Sequence, residues 1–193
     1  MLPDRRRRPP EANRVVAYDP SWPAQFEAIR RRLAPALEGT TATVEHVGST
    51  SVPGLAAKPI IDIMIVVSDQ GQVPDAIDRL AAIGYVHRGD LGVPGREAFS
   101  EASDRSSLAY HHLYLAVEGT EPHFNHVGFR EHLRRHPEAA TRYEARKLEV
   151  AYLITPSSRE SYVNAKAEVV EQLLTEARSE HRSPREPPSE GGP

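Results

Sequence analysis

Apolar residues recur at two periods along the chain, and the switches between them mark out an order of elements. Arg14-Val15-Val16-Ala17-Tyr18 reads as a short strand stopped by Asp19-Pro20. Ser21 stands at a helix N-cap position. After it Trp22, Phe26, Ile29, Leu33 and Leu37 share one helical stripe, with Arg30, Arg31 and Arg32 facing mainly outward. Gly39 ends that helix, and Pro35 predicts a kink or break late in it. The β-branched run from Thr41 to Val47 predicts a strand, and Gly48 to Lys58 a loop. Pro59 opens Ile60 to Val67, a nearly continuous apolar run typical of a strand buried on both faces. Pro74-Asp75 begins a helix with Ile77, Leu80 and Ile83 inward and Gly84 as its stop. Residues 85–107 read mostly as loop, with room for a hairpin. Leu108 to Val117 predicts another strand, and 125–135, 137–153 and 158–177 predict three helices. Strands alternating with helices early, and helices alone late, describe an α/β or α+β domain with a helical C-terminal part over about 124–178.

Composition narrows the setting. The 193 residues amount to one ordinary domain, and no run of about 18 apolar residues exists, so a membrane span is excluded. Arg5 to Arg8 near the start are basic but have no apolar segment behind them, so they form no secretory leader. The absence of cysteine excludes disulfides, thiolate metal sites and thiol nucleophiles, and fits a cytoplasmic setting. With a net charge of −3 there is no global basic field to draw in nucleic acid. Seven of the 17 prolines lie in residues 1–13 and 179–193, which predicts two disordered tails around a single folded domain, 14–178.

The candidate chemistry centres on one lone acid. Asp62 interrupts an otherwise apolar strand, where an ionised carboxylate is costly unless a cation or donors satisfy it. Strand alternation puts Asp62, Met64 and Val66 on one face. Just upstream, Gly48-Ser49-Thr50-Ser51 offers backbone N–H groups and three hydroxyls of the kind that wrap a phosphate, and Lys58 adds a cation. Phosphate loop, lysine and strand acid together suggest an anion-plus-metal site. The same residues also fit a plain turn and an aspartate that accepts backbone hydrogen bonds. No P-loop signature occurs, and Gly89, Gly92 and Gly95 do not form G-x-G-x-x-G.

The run Glu45-His46-Val47-Gly48-Ser49-Thr50-Ser51-Val52-Pro53-Gly54-Leu55-Ala56-Ala57-Lys58-Pro59-Ile60-Ile61-Asp62-Ile63 resembles the signature of the GrpB-like family. Tyr18 to Pro23, Phe129 to Arg134, and Tyr143 with Lys147 extend the likeness over roughly residues 14–177. That family belongs to the nucleotidyltransferase-fold superfamily and also occurs fused to bacterial dephospho-CoA kinase. The resemblance implies a nucleotidyltransferase-like mixed sheet flanked by helices. It also implies that Gly48-Ser49 is the superfamily's Gly-Ser element and Asp62 the first acid of its Asp-x-Asp/Glu pair. Active members hold two divalent metals on two or three carboxylates. Here the second position is Met64, and the strand Leu108 to Val117 offers His112 and Tyr114 but no acid.

What remains is one Mg²⁺ or Mn²⁺ on Asp62 and the ligand's phosphates, or a borderline ion such as Zn²⁺ on Asp62, His46 and His112. His112 doubles as a candidate base. Arg130, Lys147 and Lys166 match positions that are basic in the family; on closing helices they would reach a phosphate, and otherwise they would pair with Glu131, Glu144 or Glu168. His123 and His126 read as a loop entering a helix, and His132 and His136 as a solvated helix face. The implied function is binding of a nucleotide or other phosphorylated ligand, with metal-dependent nucleotidyl transfer to an acceptor. The alternative is a non-catalytic ligand-binding or assembly module tied to coenzyme A synthesis, with dephospho-CoA kinase as partner.

Overall fold

The structure, a computed structural model, describes residues 14–101, 108–153 and 159–182, with backbone alone at 152–153, 159–166 and 181–182. Most of both expected tails, and the side chain of Lys166, lie outside the described residues.

Five strands form one mixed sheet in the order β1-β2-β5-β4-β3: β1 (Thr43–Val47), β2 (Ile61–Val67), β3 (Tyr85–His87), β4 (Arg96–Glu101) and β5 (His111–Val117). Only β2 and β5 run parallel. The segment 85–107 therefore contributes a real hairpin, β3–β4. Its glycines had masked two short strands that pair as Tyr85 with Glu101 and His87 with Phe99. Arg14 to Tyr18, in contrast, makes only a single bridge, Val16 to Ala57, because Asp19-Pro20 turns the chain away at once.

One face of the sheet is a continuous apolar layer. Ile61, Ile63, Ile65 and Val67 of β2, with Leu113 and Leu115 of β5, are almost fully buried against α1 (Trp22–Leu37) and α2 (Val73–Ala82). The stripe of α1 points inward as its spacing requires, and Pro35 does not break the helix, which ends two residues later. So near the C-terminus proline forfeits little of the hydrogen-bond ladder. Ser21 makes no capping bond through its side chain; the turn is held instead by the Asp19 carboxylate, which accepts from the Ser21 N–H at 2.8 Å.

The other face carries the helical part: α3 (Glu121–His123), a π-helical turn at Phe124–Gly128, α4 (Phe129–Arg135), α5 (Pro137–Leu153) and α6 (Arg159–Arg182). A smaller apolar cluster of Val47, Met64, Val66 and Ala116 lies on this face, with Tyr114 and Val127 packed against it. A third cluster joins Val52 and Leu55 of the loop after β1 to Leu133, Ala139, Tyr143 and Leu173 of the helices. That loop is thus a packed layer between the sheet and the helices. The helix α6 continues past residue 178 to Arg182. No helix among the described residues is long and apolar enough to cross a membrane.

Candidate functional site

The site is built where β1 hands over to the loop and β2 begins. Pairing sets Asp62 beside Val47 on one side and His112 on the other, so Asp62, His112, Met64 and Tyr114 share one sheet face. His112 Nδ1 lies 2.9 Å from Asp62 Oδ1, and both side chains are partly open to solvent. Because a carboxylate only accepts, Nδ1 carries the proton, and Nε2 is the nitrogen left to take one.

Gly48 closes the site from the loop side. Its φ of 70° and ψ of −175° lie in a region that glycine alone occupies without strain. A Cβ there would fall 2.3 Å from Asp62 Oδ2. The bare backbone of Gly48 therefore rests directly on the carboxylate, and Ser49 begins a 3₁₀ turn through Ser51. The three hydroxyls of this turn differ. Ser51 Oγ donates to the Gly48 carbonyl at 2.6 Å, and Thr50 Oγ1 donates to the Ile60 carbonyl at 3.2 Å, so both hold the loop's own shape. Both residues are buried, whereas Ser49 is half-buried and its hydroxyl bonds to no other described residue. Lys58 is half-buried beyond the loop.

Met64 is fully buried, inside the cluster of Val47, Val66 and Ala116. The position where the resemblance would put a second metal carboxylate is thus filled with apolar packing, and a two-metal centre does not fit these residues. One Mg²⁺ or Mn²⁺ does fit: a hard ion of this kind needs only one or two carboxylates besides phosphates and water, and Asp62 is a partly exposed carboxylate oriented by His112.

The Zn²⁺ set of Asp62, His46 and His112 is not brought together. The antiparallel register puts His46 opposite Ile63, on the far face from Asp62, where its ring stacks on Phe26 at 4.8 Å. His46 Nε2 is 3.0 Å from Thr50 Oγ1, whose hydrogen is already given to Ile60, so this nitrogen is the donor and is closed to a metal. Among the described residues no group of three metal-ligating side chains includes Asp62.

The helical cations serve the loop from behind. Arg130 is buried, donating to Glu45 and to the His46 carbonyl, each at 2.8 Å, and to Glu131. Lys147, 2% exposed, donates to the Ala56 carbonyl at 2.5 Å and sits 4.6 Å over the Tyr143 ring. Glu144 accepts from the Ala56 N–H at 2.6 Å. Arg134 donates twice to the Ser51 carbonyl. The expectation that Arg130 and Lys147 meet a phosphate is corrected accordingly: both cations are spent on backbone carbonyls and carboxylates inside the protein.

Two other residues, His126 and Arg96, join the Asp62 face through Tyr114. The π-helical turn lays His126 on Tyr114, rings 5.4 Å apart and 21° from parallel, and the guanidinium of Arg96 of β4 lies 4.5 Å from the centre of the Tyr114 ring. Gly128 permits the turn, since a Cβ there would meet the Phe124 ring at 2.8 Å. The guanidinium Nε of Arg96 is buried without a hydrogen bond. His123 and His126 are thus helical and half-buried, not an exposed loop. Strand alternation could have singled out Arg96 only once β4 was recognised.

Burial pushes both His46 and His126 down to about 4, against the pull of Asp62 on each; nearby arginines add to the fall. Both stay neutral in the folded chain while the unfolded chain takes up protons near pH 6.5. Stability should therefore be full above about pH 6.5 and fall as the pH drops toward 4, each histidine adding up to about 1.4 kcal/mol per pH unit. Urea midpoints measured from pH 7.5 to 4.5 should show this slope, reduced in His126→Gln; equal slopes in both proteins would contradict the burial of that ring.

A separate open groove of about 740 Å³ lies at the C-terminal end of α1 beside edge strand β1, lined by Arg30, Pro35 and Thr43 among others, and includes none of these residues.

Comparison with known proteins places the chain. Residues 13–176 match the GrpB protein family. The UPF0157 protein YqkA of Bacillus subtilis is 31% identical over 154 residues, 80% of this chain but 44% of YqkA, so the chain spans less than half of that relative. A dephospho-CoA kinase of Mycolicibacterium paratuberculosis is 43% identical over 75 residues, 37% of this chain and 18% of that protein. The crystal structure of GrpB from Enterococcus faecalis superposes with a TM-score of 0.74 at 32% identity, covering 88% of this chain and 99% of that one. The Cid1 poly(U) polymerase bound to MgGTP aligns at 15% identity with a TM-score of 0.49, over 72% of this chain and 44% of that one. On the extent of the family match and the full-length agreement with the Enterococcus structure, the chain belongs to the GrpB protein family.

Proposed function

We propose that the protein binds a nucleotide or another phosphorylated small molecule at the junction of the Gly48-Ser49 turn and Asp62, with one Mg²⁺ or Mn²⁺ between Asp62 and the phosphates. The observation that carries this reading is the approach of the Gly48 backbone to the Asp62 carboxylate, with the Ser49 hydroxyl beside it and His112 fixing the acid. Ser49 and the loop N–H groups would hold phosphate oxygens. The metal, when bound, would neutralise phosphate charge. Asp62 would hold it, and His112 would orient that carboxylate and present Nε2 as the site that accepts a proton from an attacking hydroxyl. The reaction class such a site supports is nucleotidyl transfer to an acceptor, driven by positioning and charge stabilisation.

A second reading is favoured by Met64. With the second carboxylate position packed by apolar side chains, the same pocket would serve as a ligand-binding or assembly module, and the partial match to a dephospho-CoA kinase points to that enzyme as partner.

Titration of the protein with nucleoside triphosphates and dephospho-coenzyme A, with and without Mg²⁺, tests both. Mg²⁺-dependent binding that is lost in Asp62→Asn and weakened in Ser49→Ala is expected. Pyrophosphate release that also vanishes in Asp62→Asn would establish transfer, and binding without release the module. No binding across the panel, or binding indifferent to both substitutions, would overturn the proposal.

A further inference from the structure

Within the helical part, between α4 and α6, two histidines and a glutamate converge. His132, on the last turn of α4, is 2% exposed, and His136, the residue that ends α4, lies one turn on. Their rings are 4.7 Å apart between centres. The helix α6 crosses here and brings Glu180 to both: its carboxylate is 3.3 Å from His132 Nδ1 and 2.9 Å from His136 Nε2. One ligating atom from each of the three side chains lies within 4.8 Å of the other two. A tetrahedral ion with bonds of about 2.0–2.1 Å needs its ligands about 3.3 Å apart, so small side-chain adjustments close the set.

The second observation is an orphaned atom. His132 Nε2 is buried and makes no hydrogen bond; the nearest acidic oxygen, on Glu176, stands 3.6 Å away. A polar nitrogen left unsatisfied in the interior is costly, and the imidazole is oriented so that one nitrogen faces Glu180 and the other faces Glu176. That is the arrangement of a metal-bound histidine, in which the outer N–H is directed to a carboxylate that fixes the ring. Glu176 is itself anchored by Arg142 at 2.6 Å. The pair at i and i+4 is therefore one side of a pocket facing α6, not a solvated helix face.

We propose that His132 Nδ1, His136 Nε2 and the Glu180 carboxylate form a binding site for one divalent cation of the zinc class, with Glu176 as the outer partner of His132. Two imidazoles and one carboxylate select Zn²⁺ or Co²⁺ over Mg²⁺ and Ca²⁺, which favour oxygen donors. The ion would tie α6 to α4, and α4 carries Arg130 and Arg134, which hold the carbonyls of His46 and Ser51. The site rests on none of the residues of the Asp62 face.

The test uses tag-free full-length protein and the metals alone. After dialysis against Zn²⁺ and then metal-free buffer, about one zinc per chain is expected. Zn²⁺ should raise the melting temperature where Mg²⁺ does not, and Co²⁺ should give the intense visible absorption of a low-coordinate nitrogen–oxygen site. The part-exposed ligands are replaced so that folding is preserved: His136→Ala and Glu180→Gln should abolish stoichiometric retention and the Co²⁺ spectrum. Glu176→Gln should weaken Zn²⁺ affinity about 10- to 100-fold. Asp62→Asn should leave zinc binding unchanged, which separates this site from the nucleotide site. Absence of stoichiometric zinc, or zinc retained equally by His136→Ala and Glu180→Gln, would overturn the proposal and leave the three side chains as ion pairs.

Discussion

Replacing Gly48 by alanine is expected to destabilise the protein by about 3 kcal/mol or more, lowering its melting temperature by roughly 6–12 °C. Two costs combine. The backbone at φ 70°, ψ −175° is strained for any residue with a side chain, and the new methyl would overlap Asp62 Oδ2. Gly54 provides the comparison, since it has a similar φ of 80° but open space around the position of a Cβ. Gly54→Ala should cost only the conformational part, about 1 kcal/mol. Adding Asp62→Ala to Gly48→Ala should recover only part of the loss: the closest overlap, with Oδ2, goes, but the β-carbon of residue 62 stays 2.9 Å from the new methyl and the backbone strain remains. Thermal melts of the four proteins decide this; equal losses for Gly48→Ala and Gly54→Ala would mean that the carboxylate does not press on the loop.

Placing an acid at position 64, two residues from Asp62 on the same sheet face, should be poorly tolerated. Met64→Asp is expected to cost more than about 4 kcal/mol, because it buries a charge in a cluster of Val47, Val66 and Ala116 and sets it on the same face as Asp62. Met64→Leu, nearly equal in volume, should cost less than about 1.5 kcal/mol. Urea denaturation of both variants measures the difference. A Met64→Asp protein that kept wild-type stability and gained Mn²⁺-dependent nucleotide binding would show the second metal position to be open, and the apolar packing incidental.

The parts of this site legible in the sequence are those governed by local rules. An apolar strand interrupted by one acid marks Asp62, and a period of two sets Met64 on its face; both hold in the structure. His112 and Tyr114 share that face for the same reason. Strand register is not local, and it decides where His46 lies. Placing His46 with Asp62 required knowing that Val47, not His46, pairs with Asp62 across the antiparallel ladder. Lys147 differs: on a helix it reads as a cation for a phosphate or a neighbouring glutamate, and only the docked loop shows its amine given to the Ala56 carbonyl. The β3–β4 hairpin was obscured because Gly89, Gly92 and Gly95 punctuate a segment whose strands are three and six residues long. The facing of His132 and His136 toward α6 likewise depends on a contact 40 to 50 residues distant in sequence, which no local periodicity encodes.

The cationic grip on the loop after β1 has a consequence for the order in which the chain becomes competent. The carbonyls of His46, near the end of β1, and of Ser51 and Ala56 in the loop are held by Arg130, Arg134 and Lys147, partners 83 to 91 residues further along. Contacts of such sequence separation form late, after the loop-closure entropy has been met. During synthesis the sheet strands therefore emerge well before the side chains that shape their loop. A chain ending before α4 would contain all five strands yet lack the three cations that hold these carbonyls. The shape of this junction thus depends on the C-terminal helices having been made and docked, so the helical part acts as the chain's own completeness check.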